Sequence, residues 1–398
     1  MSKNITVGLF GYGIVGHGVY EILSKNKAVA EVKKICVKDT KKRRDLPMDH
    51  FTFEKYDLLN DSTINLIVEV IDDAEAAFEI VTEAMKRGKN VVTANKKMLA
   101  EHWEELMNLQ QEYKVSLLYE ASCCGSIPII RNLEEYYDNE LLYSVSGIFS
   151  GSCNYILTRV FAENLDFDIA LKQSQDLGFL EKDPTLDLIG SDASHKLSIL
   201  MAHAYGVYVA PNDMLNHGIL NLSSFDVQFA KEKGSRIKLI SYVGKVDEDR
   251  VVAYTLPTFI PQSSKMYSVD FENNSVVVEA AFTDKQTFIG KGAGSHPTGS
   301  AVISDISANR YDYKYEYKKY QQKNKPKYTS AVELEVYLRY YDEKNLTLFD
   351  FEKISEKYYG PDANYVVGNI RLDNLIKIKQ RLNSADIQLI TTGKMKVV

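Results

Sequence analysis

Little in this chain points toward a secreted, zinc-clustered or membrane-spanning protein. Its four cysteines, Cys36, Cys123, Cys124 and Cys153, contain no C-x-x-C pair. Cys123 and Cys124 are adjacent but lack a second pair to complete a zinc site, so all four read as reduced thiols. No apolar run approaches the roughly 20 residues needed to cross a bilayer. The N-terminus begins a strand almost at once and lacks the pattern of a signal segment, so the cytoplasm is the expected compartment. Excess positive charge is missing too. The net charge of −6 gives no electrostatic reason to expect nucleic acid or an anionic membrane as a partner. What remains is an ordinary globular composition, 45% hydrophobic and 26% charged. A length of 398 residues is too great for one core, and two or three domains are expected.

Residues 5 to 10, ITVGLF, read as a buried strand, and GYGIVG follows at once with Gly11, Gly13 and Gly16. Val15, Val19, Ile22 and Leu23 then recur at helical spacing, so the glycines sit where a strand turns into a helix N-terminus. Gly11 allows the tight turn, Gly13 lets backbone approach a pyrophosphate, and Gly16 permits close helix packing. The second strand ends in Lys38-Asp39, before the cationic run Lys41, Lys42, Arg43 and Arg44. An acid here suits the ribose of NAD and a cation suits the 2′-phosphate of NADP. Lys38, at the strand end itself, is the better phosphate ligand, which favours NADP with NAD tolerated. A third strand, 64 to 71, precedes an amphipathic helix, and a fourth, 90 to 93, runs into Ala94-Asn95-Lys96-Lys97. Ligands bind at the carboxyl ends of strands in open parallel sheets, so Lys96 is placed to reach cofactor or substrate. One more helix and strand bring the chain to EASCCGSIPIIR, starting at Glu120, and complete a doubly wound nucleotide-binding pattern.

After about residue 130 this alternation stops. A strand from 144 to 149 enters SGSCNY, and the densest chemistry follows at 178–200, GFLEKDPTLDLIGSDASHKLSIL. It offers Glu181, Asp183, Asp187 and Asp192, then Lys196 at the fourth residue after Asp192. Ala193, Leu197, Leu200, Met201 and Ala204 mark a helix from about Asp192 onward. Winding it puts Asp192 and Lys196 about 40° apart on one face, bordering the buried stripe. A solvated pair would contribute only about 0.3–0.5 kcal/mol. A lysine held beside a carboxylate at a buried border can instead donate a proton or hydrogen bond to a substrate oxygen. Mixed helices and strands fill 206–282. A second glycine-rich segment, GKGAGSHPTGSA at 290–301, precedes an apolar helix and suits a return to the dinucleotide domain. Residues 311–320, YDYKYEYKKY, alternate tyrosine with charge, as in a strand with one aromatic face. Past a polar linker, the tail from Val332 reads as strand, helix (348–358), strand (365–370), helix (372–382) and strand (387–389).

Together GYGIVG, VVTANKK, EASCCGSIPIIR, SGSCNYILTR, GFLEKDPTLDLIGSDASHKL and GKGAGSHPTGSAV resemble the homoserine dehydrogenase family, in the same order, over about residues 5 to 308. The resemblance implies an α/β protein with an N-terminal Rossmann domain, a doubly wound parallel sheet, at 1–130 with 290–308 returning to it. An α+β catalytic and dimerisation domain would fill 131–310 and a small C-terminal α/β appendage 311–398. The implied activity is NAD(P)H-dependent reduction of L-aspartate 4-semialdehyde to L-homoserine, on a threonine and methionine route, by a homodimer or dimer of dimers. Lys196 and Lys96 would be the lysines near the reacting oxygen, with Asp192 orienting Lys196. Glu181 would bind the substrate amino group, with Asp187 close by. Gly11, Gly13, Ile14, Val15, Gly16, Lys38, Thr93, Lys96 and Gly292 would line the NADP or NAD cofactor. A monovalent cation, Na+ or K+, would use Glu120 with the carbonyls of Cys123, Gly125 and Ile127. The chemistry agrees: hydride arriving at an aldehyde carbon leaves charge on its oxygen, which a cation with a transferable proton stabilises.

Three departures stand out. Asp72-Asp73 replace the glycine pair usual in the family, which would bring negative charge near the cofactor. Lys291 stands where proline is usual, and Cys153 replaces a small polar residue before Asn154. A cysteine nucleophile would suit a phosphate-dependent aspartate-semialdehyde dehydrogenase, although no histidine base motif accompanies the thiol. A dinucleotide-sensing regulator that lost catalysis is the other alternative, against which intact Lys96, Glu181, Asp192 and Lys196 argue. Many family members end in a regulatory ACT domain. Here the turn after the first tail strand is Asp342-Glu-Lys-Asn-Leu-Thr, without the usual Pro-Gly, so the tail is expected to be structural rather than ligand-binding.

Overall fold

The computed structural model describes residues 3–138, 141–180, 183–384 and 386–398. The chain divides into two compact units, Met1–Glu135 with Lys291–Tyr317, and Tyr136–Gly290 with Lys318–Val398.

The first unit is built on a six-stranded sheet. In spatial order its strands are Phe51–Thr52, Glu31–Cys36, Thr6–Phe10, Leu66–Glu69, Asn90–Thr93 and Leu117–Leu118, all parallel. Strands buried on both faces need continuous apolar runs rather than alternation, and Val7, Leu9, Leu66, Ile67, Val68, Val91 and Val92 are fully buried. The order reverses between Thr6–Phe10 and Leu66–Glu69, the switch point at which this architecture binds nucleotides. Helix Ser295–Asn309 packs on helix Ile14–Lys25 through glycine. A Cβ on Gly18 would lie 2.3 Å from the Ser295 carbonyl oxygen, and one on Gly299 would lie 3.1 Å from the Gly18 carbonyl carbon. The returning segment extends beyond 308, to Tyr317. The tyrosine run at 311–320 forms no strand; it ends in a short helix, Lys318–Gln321. Its alternation is nonetheless used. Tyr315 is buried against Tyr119 at 4.9 Å between centroids, and the Tyr317 hydroxyl lies 3.0 Å from that of Tyr119. The aromatic face packs on a core while the backbone pairs with no neighbouring strand.

The second unit holds a mixed sheet of 11 strands. Its path runs Asp284–Lys291, Asn273–Ala280, Leu142–Ile148, Ser235–Lys245, Arg250–Pro261, Ile387–Val397, Val332–Tyr340, Asn364–Arg371, Phe351–Tyr359. Short strands Leu215–Asn216 and Lys327–Tyr328 also pair with Arg250–Pro261. Helices Gly151–Glu163, Phe167–Asp176 and Ser224–Glu232 contribute to a core shared with Tyr337 and Ile390 of the tail strands. The tail strands join this sheet where Thr391 pairs with Thr258, and they share its core.

Most of the stretch expected to be a helix, 348–358, is the strand Phe351–Tyr359. Phe351, Ile354 and Tyr358 recur at i, i+3 and i+7, which imitates helical spacing. The cause is two register shifts, between Phe351 and Lys353 and between Ile354 and Glu356, where bulges interrupt the period-two pattern of an edge strand. The tail accordingly has four strands where the sequence suggested three.

Candidate active site

In the first unit the glycine turn has the stereochemistry a pyrophosphate needs. Gly11 has φ +99, and a Cβ there would lie 2.8 Å from the Val70 carbonyl oxygen, so no other residue fits unstrained. A Cβ on Gly16 would lie 2.2 Å from the Gly11 carbonyl oxygen. Around Gly13 there is open space, with no atom within 4 Å of where its Cβ would be. Gly13 begins helix Ile14–Lys25 with no side-chain cap and no acidic residue in the first turn. The first N–H groups and the positive end of the helix thus face outward for an anion. Ile14 stands exposed there, and Val15 follows it in the first turn.

Lys38 is exposed just past strand Glu31–Cys36. Asp39 Oδ1 accepts the backbone N–H groups of Lys41 (2.8 Å) and Lys42 (3.1 Å), and Arg44 donates to the Asp39 carbonyl at 2.6 Å. Asp39 is the local staple of a cationic loop. Of the two acids that replace the family glycines, Asp73 caps helix Ala74–Lys86, accepting from the Ala76 N–H at 3.1 Å. Asp72 is exposed.

At the carboxyl ends of the neighbouring strands, Glu69 is fully buried and accepts from the Thr93 hydroxyl at 2.6 Å and the Ile71 N–H at 2.7 Å. Burial pushes its carboxyl up to about 7. Thr93 Oγ1 in turn accepts the Asn95 N–H, and Asn95 caps helix Lys96–Glu101. This buried relay fixes Lys96, half-buried, as the first residue of that helix, whereas Lys97 points into solvent.

Around Glu120 the sequence reading missed how heavily the carboxylate is used. Its oxygens accept the N–H groups of Ile130 (2.8 Å) and Arg131 (2.9 Å), and its own N–H donates to Asp305 at 2.8 Å. Arg131 donates to Asp305 at 3.1 Å and lies 3.6 Å from Glu120. Burial, then the Glu120 charge, pushes Asp305 up to about 8. Cys124 and Gly125 both have φ +57, which turns the 123–127 backbone sharply. A Cβ on Gly125 would lie 2.6 Å from the carbonyl carbon of Gly292, so that turn packs tightly on the second glycine segment.

In the second unit the helix expected near Asp192 is Ser191–Tyr205, opened by Gly190 at φ +81. Lys196 Nζ donates to Asp192 Oδ2 at 2.8 Å and to the Phe149 carbonyl oxygen at 2.7 Å. The Lys196 side chain is 10% exposed and that of Asp192 17%, so the pair lies at the border of the buried face. The Phe149 carbonyl also accepts from Asn274 Nδ2 at 3.2 Å. No sequence signal marks that carbonyl, because a backbone acceptor carries no residue type. Asp187, half-buried, accepts from the Ser152 hydroxyl at 3.3 Å. Glu181 lies outside the described residues.

Cys153 has no exposed surface, and burial pushes its thiol up to about 12. Its Sγ donates to the Asp187 carbonyl at 3.4 Å. It is a packed, protonated thiol rather than a nucleophile, which removes the thioester alternative.

A family model described as the homoserine dehydrogenase NAD binding domain matches residues 11–120, and one described as homoserine dehydrogenase matches 128–307. Homoserine dehydrogenase of Bacillus subtilis is 35% identical over 316 residues, 77% of this chain and 73% of that protein. Among solved structures, a homoserine dehydrogenase from Thiobacillus denitrificans is similar at TM-score 0.83 and 29% identity, covering 98% of this chain and 99% of that one. S. aureus homoserine dehydrogenase is similar at TM-score 0.71 and 27% identity, covering 100% and 99%. The two family models span the glycine turn and the lysine-bearing helix, and the chain belongs to the homoserine dehydrogenase family.

Proposed function

We propose that the protein reduces L-aspartate 4-semialdehyde to L-homoserine with Lys196 as the proton donor. The observation that carries this is the Lys196 ammonium, gripped between Asp192 Oδ2 and the Phe149 carbonyl at the edge of a buried face. A reduced nicotinamide, when bound, supplies hydride to the aldehyde carbon. Negative charge then grows on the substrate oxygen, and Lys196 Nζ, preoriented by two acceptors, meets it with charge and a proton. Asp192 orients the ammonium and does not itself touch the reacting carbon. Lys96, held at a strand end by the Asn95 cap, is the second lysine we assign to the substrate oxygen. Glu181 is assigned to the substrate ammonium, with Asp187 beside it.

For the cofactor we assign Gly11, Gly13, Ile14, Val15, Gly16, Lys38, Thr93, Lys96 and Gly292, with NADP preferred. Supporting this preference, Asp39 spends Oδ1 on its own loop while Lys38 stands exposed at the strand end. A monovalent cation is assigned to the Glu120 turn, where a 2% exposed carboxylate sits beside backbone turned sharply at Cys124 and Gly125. The Glu120 carboxylate with the carbonyls of Cys123, Gly125 and Ile127 would hold such an ion and lock the turn on which Gly292 rests. A cytoplasmic homodimer or dimer of dimers completes the proposal. Among the described residues no helix is long and apolar enough to cross a membrane.

The test is consumption of NADPH with aspartate 4-semialdehyde, with and without phosphate. Phosphate-independent oxidation of NADPH with homoserine as product is expected. A protein that leaves NADPH unoxidised and instead reduces NADP+ with aspartate 4-semialdehyde only when phosphate is present would contradict the assignment.

A further inference from the structure

Outside the groups assigned above, one buried polar network in the second unit centres on His217, which is 2% exposed. Its Nδ1 lies 3.0 Å from Asn383 Oδ1. Its Nε2 accepts the Leu389 N–H at 3.2 Å and lies 3.1 Å from Gln388 Nε2. An Nε2 that faces two donors carries no proton, so Nδ1 holds the hydrogen and donates it to Asn383. Burial, the largest influence, pushes the imidazole down to about 4, which keeps it neutral. Gln388 is also fully buried and donates to the Gly218 carbonyl at 3.0 Å. These three partners of the ring, Asn383, Gln388 and Leu389, all come from the C-terminal tail.

The backbone around His217 faces the other way, toward the lysine-bearing helix. The Ile219 N–H donates to the Leu188 carbonyl at 2.7 Å, and Asn216 Nδ2 donates to the Ile189 carbonyl at 3.1 Å. A Cβ on Gly218 would lie 1.8 Å from the Leu188 carbonyl oxygen, so the two backbones touch. Residues 188–190 are the turn between Asp187 and the helix start at Ser191, with Gly190 in the left-handed region beneath the His217 carbonyl. Leu188 and Ile219 share one apolar core with Ile390 of the last tail strand.

We propose that His217 is a positioning residue for the reduction assigned above: tail residues Asn383, Gln388 and Leu389 hold it so that its loop sets the 188–190 turn, and with it Asp187 and Lys196. The tail thereby completes the substrate-facing part of the second unit, which gives it a mechanical role in turnover. This rests on the Lys196 assignment.

Three variants of the full chain test it. His217→Leu removes all the ring's bonds, Asn383→Ala removes one acceptor, and His217→Gln keeps an acceptor for the Leu389 N–H. Turnover, both KM values and Tm are measured well below each variant's Tm. Displacing reacting groups by a fraction of an ångström costs large factors, so His217→Leu is expected to lower kcat about tenfold or more and Asn383→Ala at least about threefold. The KM for NADPH should stay within about twofold, and His217→Gln should recover to within about threefold of wild-type kcat. A folded His217→Leu protein with lowered Tm and wild-type kcat would overturn the proposal and leave the network a stability element. Should that variant not fold, wild-type kcat in Asn383→Ala does the same. Lys196→Ala is assayed alongside. Wild-type turnover there would remove the proton-donor assignment itself, a result distinguishable from failure at His217.

Discussion

Glu69→Gln offers a quantitative check on the buried relay at the strand ends of the first unit. The Glu69 carboxyl has no exposed surface, and its ionised form is disfavoured first by burial and further by the charge of Asp72. The two hydrogen bonds from Thr93 and Ile71 pull the other way and do not cancel the burial. A carboxyl raised from 4.5 to about 7 binds a proton in the folded chain that the unfolded chain has already released. Stability from this group is therefore fully present below the unfolded value and declines as pH rises toward 7. The shift of roughly 2.5 units corresponds to about 3 kcal/mol lost over that window. Glutamine imitates the protonated acid and has no such loss. Urea unfolding of both proteins at about pH 5 and about pH 8 is the assay, and the Glu69→Gln advantage should grow by about 2.5 kcal/mol at the higher pH, the rest of the loss falling below pH 5. Asp305, pushed up to about 8, adds a decline of the same sign to both proteins and cancels in the difference. An advantage that is equal at the two pH values would refute the reasoning.

Three further outcomes follow from named contacts. Cys153→Ser should leave kcat within about threefold of wild type, because a buried protonated thiol has no part in hydride transfer; loss of about a hundredfold would return the cysteine to the chemistry. Lys38→Ala should raise the KM for NADPH and leave that for NADH nearly unchanged, narrowing a preference for NADPH; a strict NADH preference in the wild type would make Asp39 the ribose ligand instead. Glu181→Gln should raise the KM for aspartate semialdehyde more than it lowers kcat, and the difference should vanish with a substrate analogue that lacks the amino group.

The sequence exposed those parts of the fold where one physical cause acts locally. GYGIVG between an apolar strand and a helix gave its turn geometry directly, since Gly11 and Gly16 are each forced by a backbone contact. The Asp192 and Lys196 spacing likewise specified their ion pair, because helical geometry alone brings i and i+4 together. Long-range consequences were hidden. Bulges in Phe351–Tyr359 disguised a strand as a helix, and with it the extent of the second sheet. Tyr315 and Tyr317 have the spacing of a strand face but satisfy it by packing on Tyr119, more than 190 residues away. Asp73, which looks like misplaced charge in the sequence, is a helix cap. His217 gave no signal at all, since its partners lie at least 166 residues distant and a lone histidine is silent until they are known.

The proton-donor assignment of Lys196 is tested most directly by the turnover of Lys196→Ala with aspartate 4-semialdehyde and NADPH. Loss of a general acid predicts a fall in kcat of about a hundredfold or more, with the KM for NADPH little changed because the assigned cofactor residues are all in the first unit. Turnover near wild type in the purified, folded variant would contradict the account.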